Sequence, residues 1–323
     1  MLSIGGIFYI MVISLLTDTN MNNIPKNQNK QENIIKLSAQ RNLYSQAKQI
    51  QLIQIILNIP IVIVLSILTL WNKSFETVTI MYGVFVSLLD ICVLNQIQQN
   101  KKEKAAKIQE LFDCDVLELE WNDLKCGNKP TLEDIYEYQE NQKVLSKLSP
   151  LKDWYSTSVG EVPISIARIL CQLENCTWDS KLRKNYRILL ILTTSFLFFL
   201  ILILGIINNL TICKFFLLVV SPTLPSIIFC IRESNEHKET ILVTERIKKN
   251  IDNIVNKTRK ENVSANYLLE HSRKLQDEIF ERRKRSPLIF NKIYLWLRKP
   301  YENKMDNWLR SVVDNIKTIY QSN

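Results

Sequence analysis

Glycine is scarce in this chain: six in 323 residues. So few glycines leave no glycine-rich phosphate loop, and neither GxGxxG nor GxxxxGK occurs, which sets aside Rossmann domains and P-loop ATPases. Histidine is scarcer still. His237 and His271 both sit in charged, helix-like sequence, far from Cys171 and Cys176. None of the seven cysteines forms a C-x-x-C pair, and Cys171 and Cys176 lack a histidine to complete a zinc site. No nucleophile–base pair or paired-carboxylate motif has a credible partner. These absences predict a protein that is not an enzyme and needs no metal or cofactor. An odd cysteine count fits reduced thiols rather than a disulfide framework.

Long apolar runs are plentiful. Ile55–Trp71 is followed by Val78–Leu94, and Ile188–Ile207 by Leu210–Ile231. A helix needs roughly 17–25 apolar residues to cross about 30 Å of hydrocarbon. Four such runs could hardly be enclosed by the remaining soluble mass. They predict an all-α membrane protein with two transmembrane hairpins, a mostly helical cytoplasmic domain and a long helical C-terminal region. The expected divisions are a leader and helix over 1–48, a hairpin over 49–95, a sensing domain over 96–187, a second hairpin over 188–231 and a basic tail over 232–323. Leu2–Leu16 is apolar but short, with no basic residue ahead of it, and reads as a disordered or peripheral leader.

Charge sets the orientation. Lys36, Arg41 and Lys48 precede the first run; Lys101, Lys102, Lys104 and Lys107 follow the second. Lys181, Arg183, Lys184 and Arg187 precede the third, and Arg232, Lys238 and Arg246 follow the fourth. The short turns carry little beyond Lys73 and Lys214. The positive-inside rule therefore puts both termini and the central segment in the cytoplasm. Residues 232–323 hold 20 Lys and Arg against 13 Asp and Glu, so most of the chain's net +9 lies in the tail. A basic surface beside a bilayer meets anionic headgroups, not a DNA or RNA duplex.

Between the hairpins, Asn100–Phe112 has helical spacing and continues the second run. Leu117, Leu119 and Trp121 then alternate with Glu118 and Glu120, the pattern of a half-buried strand or extended segment. Gly127–Pro130 is a turn, and Thr131 starts a helix expected over 132–148. From Trp154 to Tyr186, aromatics and arginines concentrate. Trp154, Tyr155, Arg168, Trp178, Asp179 and Arg183 are candidate contacts for a stacked, anionic nucleotide; a plain packed core, with Asp179 capping a helix or pairing with Arg183, is the alternative. Asn58 and Asp90 are polar residues inside apolar runs, candidates for a pore lining or for a hydrogen bond to each other. Pro60, Pro222 and Pro225 permit kinks. In the tail, Ile247, Ile251, Ile254, Ala265, Leu268, Leu275 and Ile279 mark a seam for intramolecular packing with some contact between subunits. The run Glu281–Arg285 leads to an amphipathic segment with Trp296, Leu297, Tyr301, Trp308, Leu309, Val312 and Ile316, suited to a membrane interface or to a solvated helix with core aromatics.

Several segments, in order relative to the spans, resemble one known family. They are Arg41-Asn42-Leu43-Tyr44-Ser45-Gln46-Ala47-Lys48, Ala106-Lys107-Ile108-Gln109-Glu110-Leu111-Phe112-Asp113, Leu119-Glu120-Trp121-Asn122, Asp153-Trp154-Tyr155, Cys171-Gln172, Glu174-Asn175 and Trp178–Tyr186. Together they are similar to the four-transmembrane effectors associated with SMODS nucleotidyltransferases in bacterial cyclic-oligonucleotide (CBASS) anti-phage systems. Leu173 departs from that pattern, which favours a basic residue beside Gln172. The resemblance implies an inner-membrane effector, a homo-oligomer in the lipid bilayer, activated by a cyclic oligonucleotide from a partner nucleotidyltransferase to form a pore. The alternative is a membrane-anchored sensor or scaffold that binds a cytoplasmic protein and forms no pore.

Overall fold

The computed structural model describes residues 22–139, 151–207, 211–216, 220–260, 264–294, 296–297 and 307–314. Helix α1 is Ile24–Asn27, α2 Gln31–Asn58, α3 Pro60–Trp71 and α4 Glu76–Leu89. A π-helical turn, Asp90–Leu94, joins α4 to α5, Asn95–Leu117. Short helices α6, Asp123–Cys126, and α7, Leu132–Glu137, follow. Helix α8 runs unbroken over Ile164–Ile207, α9 over Ile212–Phe215, α10 over Ser221–Lys260 and α11 over Ala265–Arg285. No strand occurs among the described residues.

Three helical runs are long and apolar enough to cross a membrane: Gln31–Thr69, Lys73–Leu117 and Ile164–Ile207. The expected fourth, Leu210–Ile231, includes 210 and 217–219, which lie outside the described residues, and the leader Leu2–Leu16 lies wholly outside them. The outward faces of the apolar stretches are bare. Val78, Met81, Phe85 and Leu88 on α4, and Ile188, Leu192, Phe196, Phe199, Ile203 and Ile206 on α8, are all exposed. Exposed apolar surface of that extent marks a membrane or partner interface.

Pro60 begins α3 at a break where Ile59 leaves ideal helical geometry, so the first run is kinked rather than straight. Its ring pre-sets the backbone angle of a first helical residue and its missing N–H is not needed there. Ser226 on α10 donates to the Asn58 carbonyl at this break. Thr69 and Thr79 share a buried hydrogen bond of 2.8 Å, and the Tyr82 hydroxyl reaches the Leu57 carbonyl at 3.0 Å. The Thr69–Thr79 bond holds α4 to α3, and the Tyr82 bond holds it to the end of α2.

The non-membrane core draws on five long helices spread along the sequence. Leu37 from α2, Phe112 and Leu117 from α5, Ile166, Ile169 and Leu170 from α8, Ile247 and Ile251 from α10, and Leu268 and Ile279 from α11 form one cluster. Each such side chain contributes about 1.5–3 kcal/mol on burial. The seam residues Ile247, Ile251, Ile254, Leu268, Leu275 and Ile279 thus pack within the chain, while Ala265 is exposed. Leu173 is buried in the same cluster. Leu309 and Val312 join it too, and Trp308 packs against it, while Trp296 is exposed; Tyr301 and Ile316 lie outside the described residues.

Two local expectations need correction. The helix expected to end near Phe112 reaches Leu117, where Glu118 takes left-handed geometry (φ 53°) and stops it. Leu119 is buried while Glu118 and Glu120 are exposed, so the alternation is real, but the segment is extended chain with no strand partner. The helix expected over 132–148 is Leu132–Glu137, opened by a Thr131–Asp134 capping box; residues 138 and 139 are not helical, and 140–148 lie outside the described residues.

Candidate functional site

Helical spacing puts Ala106, Glu110, Asp113 and Leu117 on one face of α5, and that face turns inward. Glu110 and Asp113 are fully buried. Buried carboxylates need charge-bearing donors, and α11 supplies them. Arg283 pairs with Asp113, and Arg273 reaches Glu110 at 2.6 Å and Asp277 at 2.8 Å. Gln276 donates to Glu110 at 2.9 Å and to Asp113 at 2.8 Å, and the Tyr155 hydroxyl donates to Asp113 at 2.7 Å. Burial, with the Asp113 charge adding to it, pushes that hydroxyl well above its usual range and keeps it a donor.

The neighbouring arginine on α11 points to a different helix. Arg282 contacts Asp179 at 3.0 Å, Asn175 at 2.8 Å and Thr244 at 3.2 Å. Arg183 also binds Asp179, at 2.8 Å, and donates to the Pro287 carbonyl at 2.8 Å. Adjacent residues at the end of α11 therefore grip two carboxylates, one on each of two long helices that run on into apolar stretches.

A third cluster lies where the apolar run of α4 ends. Asp90, in the π-helical turn, is 4% exposed and accepts from Gln54 at 2.6 Å and Arg232 at 2.9 Å. Gln98 donates to Gln54 at 3.1 Å, and Gln51 donates to Glu233 at 3.2 Å and to the Leu288 carbonyl at 3.3 Å. Asn58 does not meet Asp90 as a partner: its amide donates to the Gln54 carbonyl of its own helix at 2.9 Å. Gln54 takes the role that sequence spacing offered to Asn58, because it lies one turn nearer along the same face of α2.

These clusters are networks of ion pairs and amide hydrogen bonds that tie separate helices together. No group of three or more His, Cys, Asp or Glu suited to a metal occurs among the described residues. A family model described as the SMODS-associating 4TM effector domain matches residues 22–312. The chain belongs to this family. It is also 28% identical over 303 residues to a probable CBASS effector molecule of Bacillus cereus (strain VD146), covering 92% of this chain and 98% of that one. No solved structure matches. As a member of the SMODS-associating 4TM effector family, the protein is an effector.

The residues singled out for ligand contact occupy separate places in this 4TM effector. Trp154 and Tyr155 come together against Phe112, edge-on at 6.2 Å and stacked at 6.4 Å. Arg168 donates to the Leu117 and Glu118 carbonyls at 2.5 and 3.0 Å, satisfying the end of α5. Trp178 meets Tyr294 edge-on at 6.5 Å. Asp179 and Arg183 belong to the Arg282 cluster. Sequence reasoning missed Arg282, Arg283, Glu110, Asp113, Gln276, Arg232 and Gln54. The available signal was acidic and amide residues at positions whose helical neighbours are apolar.

His237 is fully buried, edge-on to Tyr186 at 4.8 Å. Its Nδ1 lies 3.3 Å from Arg183 and must accept, since a guanidinium only donates. Burial, and then Arg183, lower its pKa from 6.5 to about 2. The folded protein thus refuses a proton that the unfolded chain takes up, so His237 costs stability as pH falls below 6.5, by about 1.4 kcal/mol per unit. Glu233, one turn away and raised from 4.5 to about 7 by burial and Glu236, acts with the opposite sign between those values. Comparison with His237→Gln isolates the histidine. The stability difference between the two proteins should shift by about 1.4 kcal/mol per unit below pH 6, measured by thermal melts in detergent; parallel curves would mean that His237 titrates normally.

Proposed function

We propose that this protein is an inner-membrane effector, silent at rest and opened by a cyclic oligonucleotide from a partner nucleotidyltransferase, so that the membrane is breached. The observation that carries this reading is the Arg282–Arg283 pair, which links α11 to Asp179 on α8 and to Asp113 on α5. Both helices continue from buried soluble packing into bare apolar surface. A shift of α11 would therefore move the membrane ends of two helices together, and Tyr155 and Arg183 would move with the same clusters.

The apolar runs form two hairpins on this reading, with both termini and the central segment on the cytoplasmic side. Residues 96–187 form the sensing domain together with α2, α10 and α11, which share its core. Four spans are too few to enclose a wide channel, so the open form is a homo-oligomer with Asp90 and Asn58 near the opening. Purified protein in liposomes should release ions or dye only when a cognate member of a cyclic di- and trinucleotide panel is added. Release without nucleotide would sink the activation step. No release under any condition would favour an anchor that binds a protein partner.

A further inference from the structure

Helices α10 and α11, with Lys125 from α6, border an open groove of about 530 Å³, a volume typical of small-molecule sites. Its lining differs from the ion-paired interior. Tyr267 and His271, one turn apart on α11, stack with ring centroids 3.8 Å apart and planes at 30°. The Lys257 ammonium lies 4.7 Å from the Tyr267 ring centroid. Lys125 and Lys274 add two further ammonium groups, and Asn250 and Asn253 bring side-chain amides that both donate and accept. Asp277 and Glu278 also line the groove, but Arg273 holds the first at 2.8 Å and Arg246 the second at 3.2 Å. Lys274 is shared with Glu270 at 2.6 Å.

We propose that this groove is the cyclic-oligonucleotide site, an assignment that rests on the nucleotide-activated reading above. A base stacks against the Tyr267–His271 pair, the lysines meet the phosphodiesters, and the asparagines read base edges. Stacking accepts any base face, while ammonium groups supply the charge that a cyclic phosphodiester ring demands. The position also provides the coupling. Helix α10 carries Arg232 and His237 towards the membrane, and α11 carries Arg282 and Arg283, so a ligand held between them acts on all three clusters.

The test uses full-length protein in detergent micelles, titrated with a panel of cyclic di- and trinucleotides, with a linear dinucleotide and inorganic phosphate as controls. Wild type should bind at least one cyclic member more tightly than either control. Tyr267→Ala and the double variant Lys125→Ala/Lys257→Ala should each weaken it by about tenfold or more, whereas Tyr267→Phe keeps the stacking face and the affinity. A photoreactive analogue of the bound nucleotide, crosslinked to wild type, should label the segment 250–278, which keeps the assignment testable if an alanine variant is poorly folded. Undiminished binding by folded alanine variants, or crosslinks elsewhere, would overturn the groove and leave nucleotide activation standing. No binding by wild type would overturn both. Equal affinity for the linear dinucleotide or phosphate would overturn the cyclic ligand class.

Discussion

Arg283→Ala should lower stability by about 3–5 kcal/mol, because it leaves a fully buried Asp113 without its cation. Gln276 and Tyr155 still donate to that carboxylate, but neutral donors do not balance its charge. In a protein of this size the loss corresponds to a melting temperature lower by on the order of 10 °C, read by thermal denaturation in detergent. Adding Asp113→Asn to the same protein should recover part of the loss, since the orphaned charge is then gone. If the single variant melts like wild type, the Arg283–Asp113 pair does not hold α11 to α5, and α11 keeps only its grip on α8.

Asp90→Asn should have its largest effect on the resting membrane. The Asp90–Arg232 pair joins the π-helical turn to α10, and asparagine keeps the shape but loses the charge. Weakening the closed arrangement by about 1.4 kcal/mol raises the open population about tenfold while openings are rare. Liposomes carrying the variant should therefore leak without nucleotide at about ten times the wild-type rate. With nucleotide, they should favour cations less strongly, because the released carboxylate would otherwise repeat around the opening. Paired flux measurements with a cation and an anion of similar size check both effects. Identical leak and selectivity would leave Asp90 with a packing role only.

The helical architecture was largely legible because it is local. Apolar runs, the spacing of Ile247, Ile251 and Ile254, and the Thr131 start signal all lie within a few turns of their own helices. The ion-paired interior was not, because its partners are distant in sequence. Asp113 and Arg283 are 170 residues apart, and Asp90 and Arg232 are 142 apart. The run Glu281–Arg285 illustrates the difficulty. Read as a string it is a solvated basic stretch, yet Arg282 and Arg283 are 6% and 8% exposed while Arg285 faces solvent. A helix turns about 100° per residue, so neighbours in one basic run meet entirely different surroundings. The aromatic and arginine concentration between Trp154 and Tyr186 was visible for the same local reason, but density in sequence did not predict convergence in space.

The π-helical turn at Asp90–Leu94 accommodates one residue more than an α-helix would in the same length. That residue puts α4 and α5 out of phase by about 100°, the rotation each α-helical residue contributes. The phase offset is what lets Asp90 look towards Gln54 and Arg232 while Glu110 and Asp113, further along the same rod, look towards α11. If the extra residue migrated along the rod, the part it passed would swivel about its own axis with little loss of backbone hydrogen bonding. Such a shift would make the turn a rotary joint, withdrawing a carboxylate from its cation by a twist rather than parting two helices by a tilt.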